Sequence, residues 1–315
     1  MPGRQTLNPR GVLHSLRPVD ALVLAFTVLL SLINLVLSAW IPAWTNLLII
    51  NAAGAIAIIA LARSTAAASG RRLTRAVHDW YPVPAIFLLF KEVYVIIQSL
   101  GRNDWDDLLI AADRAIFGGD PTVWLSKFST PLLTEILQIA YASYYFIMLA
   151  VGIELYITGE RKKFALVVFT IVFGFCLSYL GYLAFPAVGP RFTLHDFRLL
   201  ESDLPGIFFT GPIRDFLDAG ESIPKNIVNA AALAQRDAFP SGHTQMTLIS
   251  LYFATLYSLR SRTILYVLGA LLIISTVYLR YHYVVDLLGG ALFMWLTILA
   301  APRLFRWWES RRAPS

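Results

Sequence analysis

Phe239-Pro240-Ser241-Gly242-His243 opens the stretch that decides how this chain is read, and Arg280-Tyr281-His282-Tyr283-Val284-Val285-Asp286 closes it. Between them lie two apolar runs joined by a short basic turn. One histidine therefore stands at the mouth of a hydrophobic helix, and a second follows the hairpin with a carboxylate four residues on. Pro240 suits a helix start and Ser241 its cap, which predicts that the backbone amides of Ser241, Gly242 and His243 project unpaired from a positive helix end. That is an anion cradle, most naturally for phosphate. His282 and Asp286 are one helical turn apart, the spacing at which a carboxylate holds one ring nitrogen and leaves the other free to attack or to carry a proton. Together these residues supply an oriented nucleophile, a candidate general acid and an oxyanion cradle. A single histidine at a membrane edge is more often an interfacial residue. Two that flank one hairpin, one with a spaced Asp and one on a Pro-Ser-Gly cap, favour chemistry.

The surrounding composition is that of a membrane protein. The 315 residues are 57% hydrophobic and only 15% charged, with long apolar runs recurring from end to end, which implies an all-α polytopic membrane protein. The runs predict about eight transmembrane helices, over residues 20–40, 45–62, 82–100, 131–157, 164–186, 241–259, 263–280 and 283–302. The first is too long for a signal-peptide core and is followed by more hydrophobic segments, so it reads as a retained helix. Residues 1–19 then form an N-terminal segment, 20–100 a set of N-terminal transmembrane helices, 101–302 the membrane core and 303–315 a basic tail. The one cysteine, Cys176, lies inside an apolar run; it excludes an intramolecular disulfide and reads as packing.

Loop charge orients the helices. With a cytoplasmic N-terminus, the inner segments carry Arg4, Arg10, Arg17, Arg63, Arg71, Arg72, Arg75, Arg161, Lys162, Lys163, Arg260, Arg262, Arg303, Arg306, Arg311 and Arg312, sixteen of the 26 basic residues, against nine outside. The positive-inside rule supports that orientation, with both termini cytoplasmic. It places His243, His282 and Asp286 together on the extracytoplasmic face. The net charge of +6 is accounted for by the cytoplasmic rim and calls for no nucleic acid. The Pro- and Gly-rich segment 187–240 joins the fifth span to the sixth on the outer side, and Arg191 within it reads either as a phosphate clamp or as a solvated loop arginine.

Other polar residues read more plainly. Residues 104–128 mix apolar and acidic faces and are too short to span, which suggests an amphipathic interfacial helix; Asp104, Asp106 and Asp107 lack the calcium-loop pattern. Lys91 and Glu92 in the third span, and Glu135 in the fourth, read as intramembrane groups that pair with one another in a polar bridge. Tyr141, Tyr144 and Tyr145 follow helical spacing and read as packing or interfacial anchors.

The Pro240–His243 element, followed after a hydrophobic hairpin by His282 and Asp286, resembles the second and third signatures of the type 2 phosphatidic acid phosphatase superfamily. Phe185 to Arg191, Tyr278 to Gly290 and Asp113 to Pro121 are similar to its branch of inositol phosphorylceramide synthases, over about residues 100–300. The resemblance implies a six-helix phosphatase-like core in which His282 is phosphorylated, Asp286 orients it and His243 protonates the leaving oxygen. Ser241 and Gly242 would hold phosphate oxygens, and neither metal nor other cofactor is expected. The superfamily places an Arg six residues before the second histidine, where Thr276 stands, and a Lys seven before an Arg-Pro, where Ala184 stands and the order is Pro190-Arg191. Arg280 differs from the first of those positions by only about 40° in helical azimuth and roughly 6 Å in height, so Arg280 and Arg191 are both candidates for the phosphate-binding cation.

Three functions fit the sequence. One transfers a phospho-headgroup from a phospholipid donor to a lipid or polyol hydroxyl, in the manner of an inositol phosphotransferase, and one passes the phosphoryl group to water. The third is a non-catalytic lipid-phosphate transporter or binding protein, which would favour midplane ionisable groups and repeated halves. The 187–240 and 104–128 segments supply candidate parts for a lid over the site, which favours transfer.

Overall fold

Each apolar run read from the sequence is a helix. The computed structural model describes residues 15–67, 72–101, 104–221, 223 and 229–312; Arg4, Arg10 and Arg71 of the charge count lie outside them. The longer helices are α1 (Pro18–Val36), α2 (Trp44–Ala66), α3 (Arg72–Trp80), α4 (Pro82–Leu100), α5 (Asp106–Phe117), α6 (Pro121–Ser126), α7 (Pro131–Ala142), α8 (Tyr144–Ile157), α9 (Arg161–Ala184), α10 (Thr210–Gly220), α11 (Gly242–Leu256), α12 (Arg262–Tyr278) and α13 (Val284–Arg312). No strand occurs among the described residues. α1, α2, the α3–α4 segment, α9 and α13 are each long and apolar enough to cross a membrane, and α7 with α8, bent by 47° at their junction, has the length and composition of a sixth span if the two are taken as one. α11 and α12, at 15 and 17 residues, are the shorter pair that carries the histidines.

The expected straight span over 131–157 is thus two helices. At the break, the Ser143 hydroxyl donates to the Ala140 carbonyl at 2.6 Å, and such back-bonding by a small hydroxyl residue bends apolar helices.

The chain divides into two compact units. One comprises Met1–Leu100, Lys162–Cys176 and Ile298–Ser315, the other Gly101–Arg161 and Leu177–Thr297. In the first, α1 packs on α2 and α4. Its interior polar link differs from the expected pairing of Lys91 with Glu92: Glu92 accepts from the side-chain amides of Asn34 (2.7 Å) and Asn51 (2.8 Å), while the Lys91 ammonium lies over the Tyr94 ring. Two carboxamides from neighbouring helices satisfy the carboxylate without a cation.

In the second unit α12 packs on α6, α7, α8 and α11, and α11 on α8. The short turn between α11 and α12 makes them an antiparallel pair. The first residues of α11 and the last of α12 therefore lie at one end, which brings His243 and His282 together from 39 residues apart.

Candidate active site

His282 lies in the link between α12 and α13. α12 stops because Arg280 turns into the left-handed region (φ 68°) and the amides of Tyr281 and His282 both fold back onto the Thr276 carbonyl, at 2.9 and 3.0 Å, which satisfies the helix end. α13 then starts with its Val284 and Val285 amides received by the Asp113 carboxylate at 2.9 and 2.8 Å. Asp286, in its first turn, receives the Tyr283 amide at 2.9 Å.

The orientation of the His282 ring departs from the expectation in one respect. Nδ1 is 3.3 Å from Asp286 Oδ2 but only 2.9 Å from the Ala238 carbonyl oxygen. A carbonyl only accepts, so Nδ1 carries the proton and Nε2 presents its lone pair. Asp286 stands as a second, longer acceptor. Nε2 faces His243 Nδ1 at 3.3 Å.

His243 is held by its neighbours as much as by its helix. Ser241 caps α11, its hydroxyl accepting from the Thr244 amide at 3.2 Å, and a Cβ on Gly242 would come within 2.5 Å of the Tyr182 hydroxyl, so only glycine fits there. The His243 ring stacks on Tyr141 (centroids 4.6 Å apart) and meets Tyr144 at 4.3 Å with the rings tilted by 40°. Tyr141 in turn stacks on Tyr281 at 4.2 Å, and the Arg191 guanidinium lies over the Tyr281 ring at 4.5 Å. Of the three tyrosines read as packing or interfacial anchors, Tyr141 and Tyr144 thus pack on the histidine itself, while Tyr145 is exposed and packs on Tyr144.

The expected cradle of three amides is smaller than anticipated. The Ser241 amide donates to the Asp286 carbonyl at 3.0 Å, because the α11 and α13 starts abut, and Ser241 is fully buried. The Gly242 amide is received by the Tyr182 hydroxyl, so of the three only the His243 amide is left for the cradle among the described residues.

The two candidate cations separate. Arg280, whose backbone makes the left-handed turn, gives its guanidinium to Asp203 (2.8 Å) and the Ser126 hydroxyl (3.3 Å) and leaves only Nε buried without a partner. Arg191 lies near enough to act on His282 electrostatically; it pairs with Glu221, stands 3.6 Å from Asp218, and leaves Nη1 buried without a hydrogen-bond partner. Its amide is fixed by the Arg280 carbonyl at 2.9 Å. Just before it, Gly189 adopts φ 91°, and a Cβ there would meet the Tyr281 carbonyl at 2.6 Å.

Electrostatics keeps His282 neutral. Burial pulls its pKa down to about 4, helped by Arg191, against the opposing pull of Asp237, the Ala238 carbonyl and Glu221. Asp237 itself is pushed up to about 6, first by burial and then by Glu221, although His282 and Arg191 pull it down. Asp218 also rises to about 6, again through burial, with Arg191 opposing.

Sequence reading missed several of these groups. Asp106 and Asp113, seven residues apart and both buried on α5, are anchors rather than an interfacial acidic face: Asp106 receives the Val188 and Gly189 amides, each at 2.9 Å, and the Tyr283 hydroxyl at 2.7 Å. Their spacing on one helical face was the available signal. Asp104 pairs with Arg236 at 2.7 Å. Ala238, Asp218, Glu221 and Asp237 carried no motif.

The family model described as the PAP2 superfamily matches residues 107–300, which holds both histidines, Asp286, Arg191 and Asp113 and begins just after Asp104 and Asp106. The chain belongs to the PAP2 superfamily. Members of the PAP2 superfamily are phosphatases, and their fold is a helical membrane fold. A PA-phosphatase related-family protein of Dictyostelium discoideum is 25% identical over 237 residues, 64% of this chain and 40% of that protein. The chain therefore matches less than half the length of this PAP2-related relative. No solved structure matches it.

Proposed function

We propose that the protein is an integral membrane enzyme that cleaves a lipid phosphoester through a phosphohistidine. The observation that carries this is the state of His282: Nδ1–H committed to the Ala238 carbonyl, the ring neutral, and Nε2 turned to His243. Nε2 attacks phosphorus, and the bond from phosphorus to the leaving oxygen breaks. In-line displacement puts that oxygen opposite Nε2, so the two histidine rings part as the phosphoester enters between them; His243, doubly protonated once the phosphoester's negative charge lies against it, gives one proton to the departing oxygen and is left neutral. The His243 amide and Arg191 Nη1 take equatorial oxygens, where charge builds up. Asp286 and the Ala238 carbonyl together steady the His282 ring as it becomes cationic.

In the second half-reaction the neutral His243 takes a proton from an alcohol, whose oxygen attacks phosphorus and releases His282. Transfer to a lipid or polyol hydroxyl, as in the inositol phosphotransferase-like branch, is favoured by the enclosure of His282, which is 4% exposed, under a segment whose Asp218 and Glu221 hold Arg191. Water as acceptor, giving a lipid phosphate phosphatase, is favoured by the family's phosphatase members. Purified enzyme given radiolabelled phospholipid decides between them. An acceptor-dependent new lipid with ceramide, diacylglycerol or inositol supports transfer; acceptor-independent release of inorganic phosphate from a monoester lipid supports hydrolysis. His282→Ala abolishes the acid-labile covalent label in either case, and a label that persists in His282→Ala but vanishes in His243→Ala reverses the two roles.

A further inference from the structure

Glu135 of α7 pairs with no charged side chain among the described residues. Its carboxylate gathers the chain just before α10: Oε1 accepts from the Phe208 (3.0 Å) and Phe209 (2.5 Å) amides, and Oε2 from the Ile207 (2.9 Å) and Thr210 (3.2 Å) amides and the Thr210 hydroxyl (2.6 Å). Four consecutive backbone donors are thereby satisfied without water. A loop surrounded by solvent has no need of this, whereas irregular backbone set against hydrocarbon does, since nothing in lipid can pair with it.

The side chains on that loop are apolar and face outward. Phe208 is 77% exposed and Phe209 59%, and Ile207 is exposed as well. The same face continues along α10, where Phe216, seven residues after Phe209, is 77% exposed. Arg214 and Asp218 take the opposite side of α10, and Asp215, exposed, stands about 100° round the helix from Phe216, at the edge of the apolar face. Arg214 is buried and donates to Gln138 (3.2 Å) and to the Leu204 carbonyl (2.9 Å), and Asp218 turns to Arg191. An amphipathic helix on a water-soluble surface has the reverse arrangement. On α7, next to the point where Glu135 grips the loop, Leu132, Ile136 and Ile139 are exposed, so the aromatic face adjoins the lipid-facing surface of a membrane span.

We infer that residues 207–216 are seated in the lipid leaflet beside the active site, with Phe208, Phe209 and Phe216 among acyl chains. Glu135 is the internal partner that lets the backbone enter. The occupant of this surface is lipid, as the apolar side chains, the satisfied amides and the continuity with α7 require. One face of α10 then lies in the bilayer while the other carries Asp218 toward the cation that the proposed phosphate chemistry uses. The placement stands apart from the chemistry, and its test needs no turnover.

Single cysteines at Phe208, Phe209, Phe216 and, as a solvated reference, the exposed Glu201 are spin-labelled in protein reconstituted into phosphatidylcholine–phosphatidylglycerol vesicles. The native Cys176 is buried, and unmutated protein gives the labelling background. Collision with dissolved oxygen is compared with collision with a polar nickel chelate. The expected result is oxygen dominance at Phe208, Phe209 and Phe216 and nickel dominance at Glu201. Nickel dominance at the three phenylalanine positions overturns the inference, and so does shielding from both relaxants, which means protein covers the face. Should a cysteine variant not fold, Phe208→Trp is read by brominated-lipid quenching above the wild-type signal; added quenching supports the placement, and unchanged quenching overturns it.

Discussion

His282 gives its Nδ1 proton to a backbone carbonyl that no side-chain substitution removes. In the serine-protease triad the aspartate alone sets the tautomer, and its replacement by asparagine costs about 10⁴ in rate. Here the Ala238 carbonyl at 2.9 Å is nearer than Asp286 at 3.3 Å, so the tautomer survives Asp286→Asn and what is lost is charge support for the phosphorylated ring. The expected fall in single-turnover rate is about 10²-fold, with the covalent label still formed; a loss as deep as that of His282→Ala would show that the carbonyl does not hold the ring. The low pKa fixes a second outcome. Neutral imidazole is the reactive form and His282 protonates only near pH 4, so the phosphoenzyme burst stays level as pH falls from neutrality and drops as pH passes through about 4. A drop centred at about 6.5, the value for unperturbed imidazole, would mean that water reaches the ring freely.

At the level of elements, α5 holds together what the chemistry needs. Asp106 ties down the Val188–Gly189 turn that leads to Arg191, and Asp113 caps the helix that follows His282. Asp113→Ala is expected to cost about 1–2 kcal/mol, as for loss of a helix cap, seen as a lower midpoint in thermal unfolding of detergent-purified protein. Asp106→Ala frees Arg191 and Tyr283 together and is expected to lower kcat by more than its loss of stability accounts for. Equal kcat for folded Asp106→Ala and wild type would show that the turn holds without its anchor. This is also where the sequence was least legible. The helices themselves could be read, because apolar runs of membrane length have few other outcomes. So could the histidine pair, since both halves flank one hairpin. The grip of Asp106 on an amide 83 residues away, and of Glu135 on amides more than 70 away, depends on tertiary approach, which leaves no local pattern. The same applies to the cation: Arg280 had the better helical azimuth, but its backbone makes a left-handed turn and its guanidinium pairs with Asp203.

The whole molecule adds a direction. α11 begins and α12 ends at the site, and the turn that joins them at the other end carries Arg260 and Arg262. The basic residues at the C-terminal end of α13, Arg303 to Arg312, are likewise at the far end of the helix that starts beside His282. Basic residues in short loops are retained on the cytoplasmic side, so both distributions predict that the histidines open to the extracytoplasmic side. The expected outcome is that right-side-out vesicles turn over a short-chain, membrane-impermeant phosphoester without permeabilisation, and that an impermeant histidine reagent added outside abolishes the activity. Turnover that appears only after permeabilisation would mean the chain is inserted the other way round. The same experiment on Arg260→Glu with Arg262→Glu weighs the cause: if this turn sets the orientation, a fraction of the variant becomes latent until vesicles are opened, whereas undiminished outside activity assigns the orientation to the remaining basic loops.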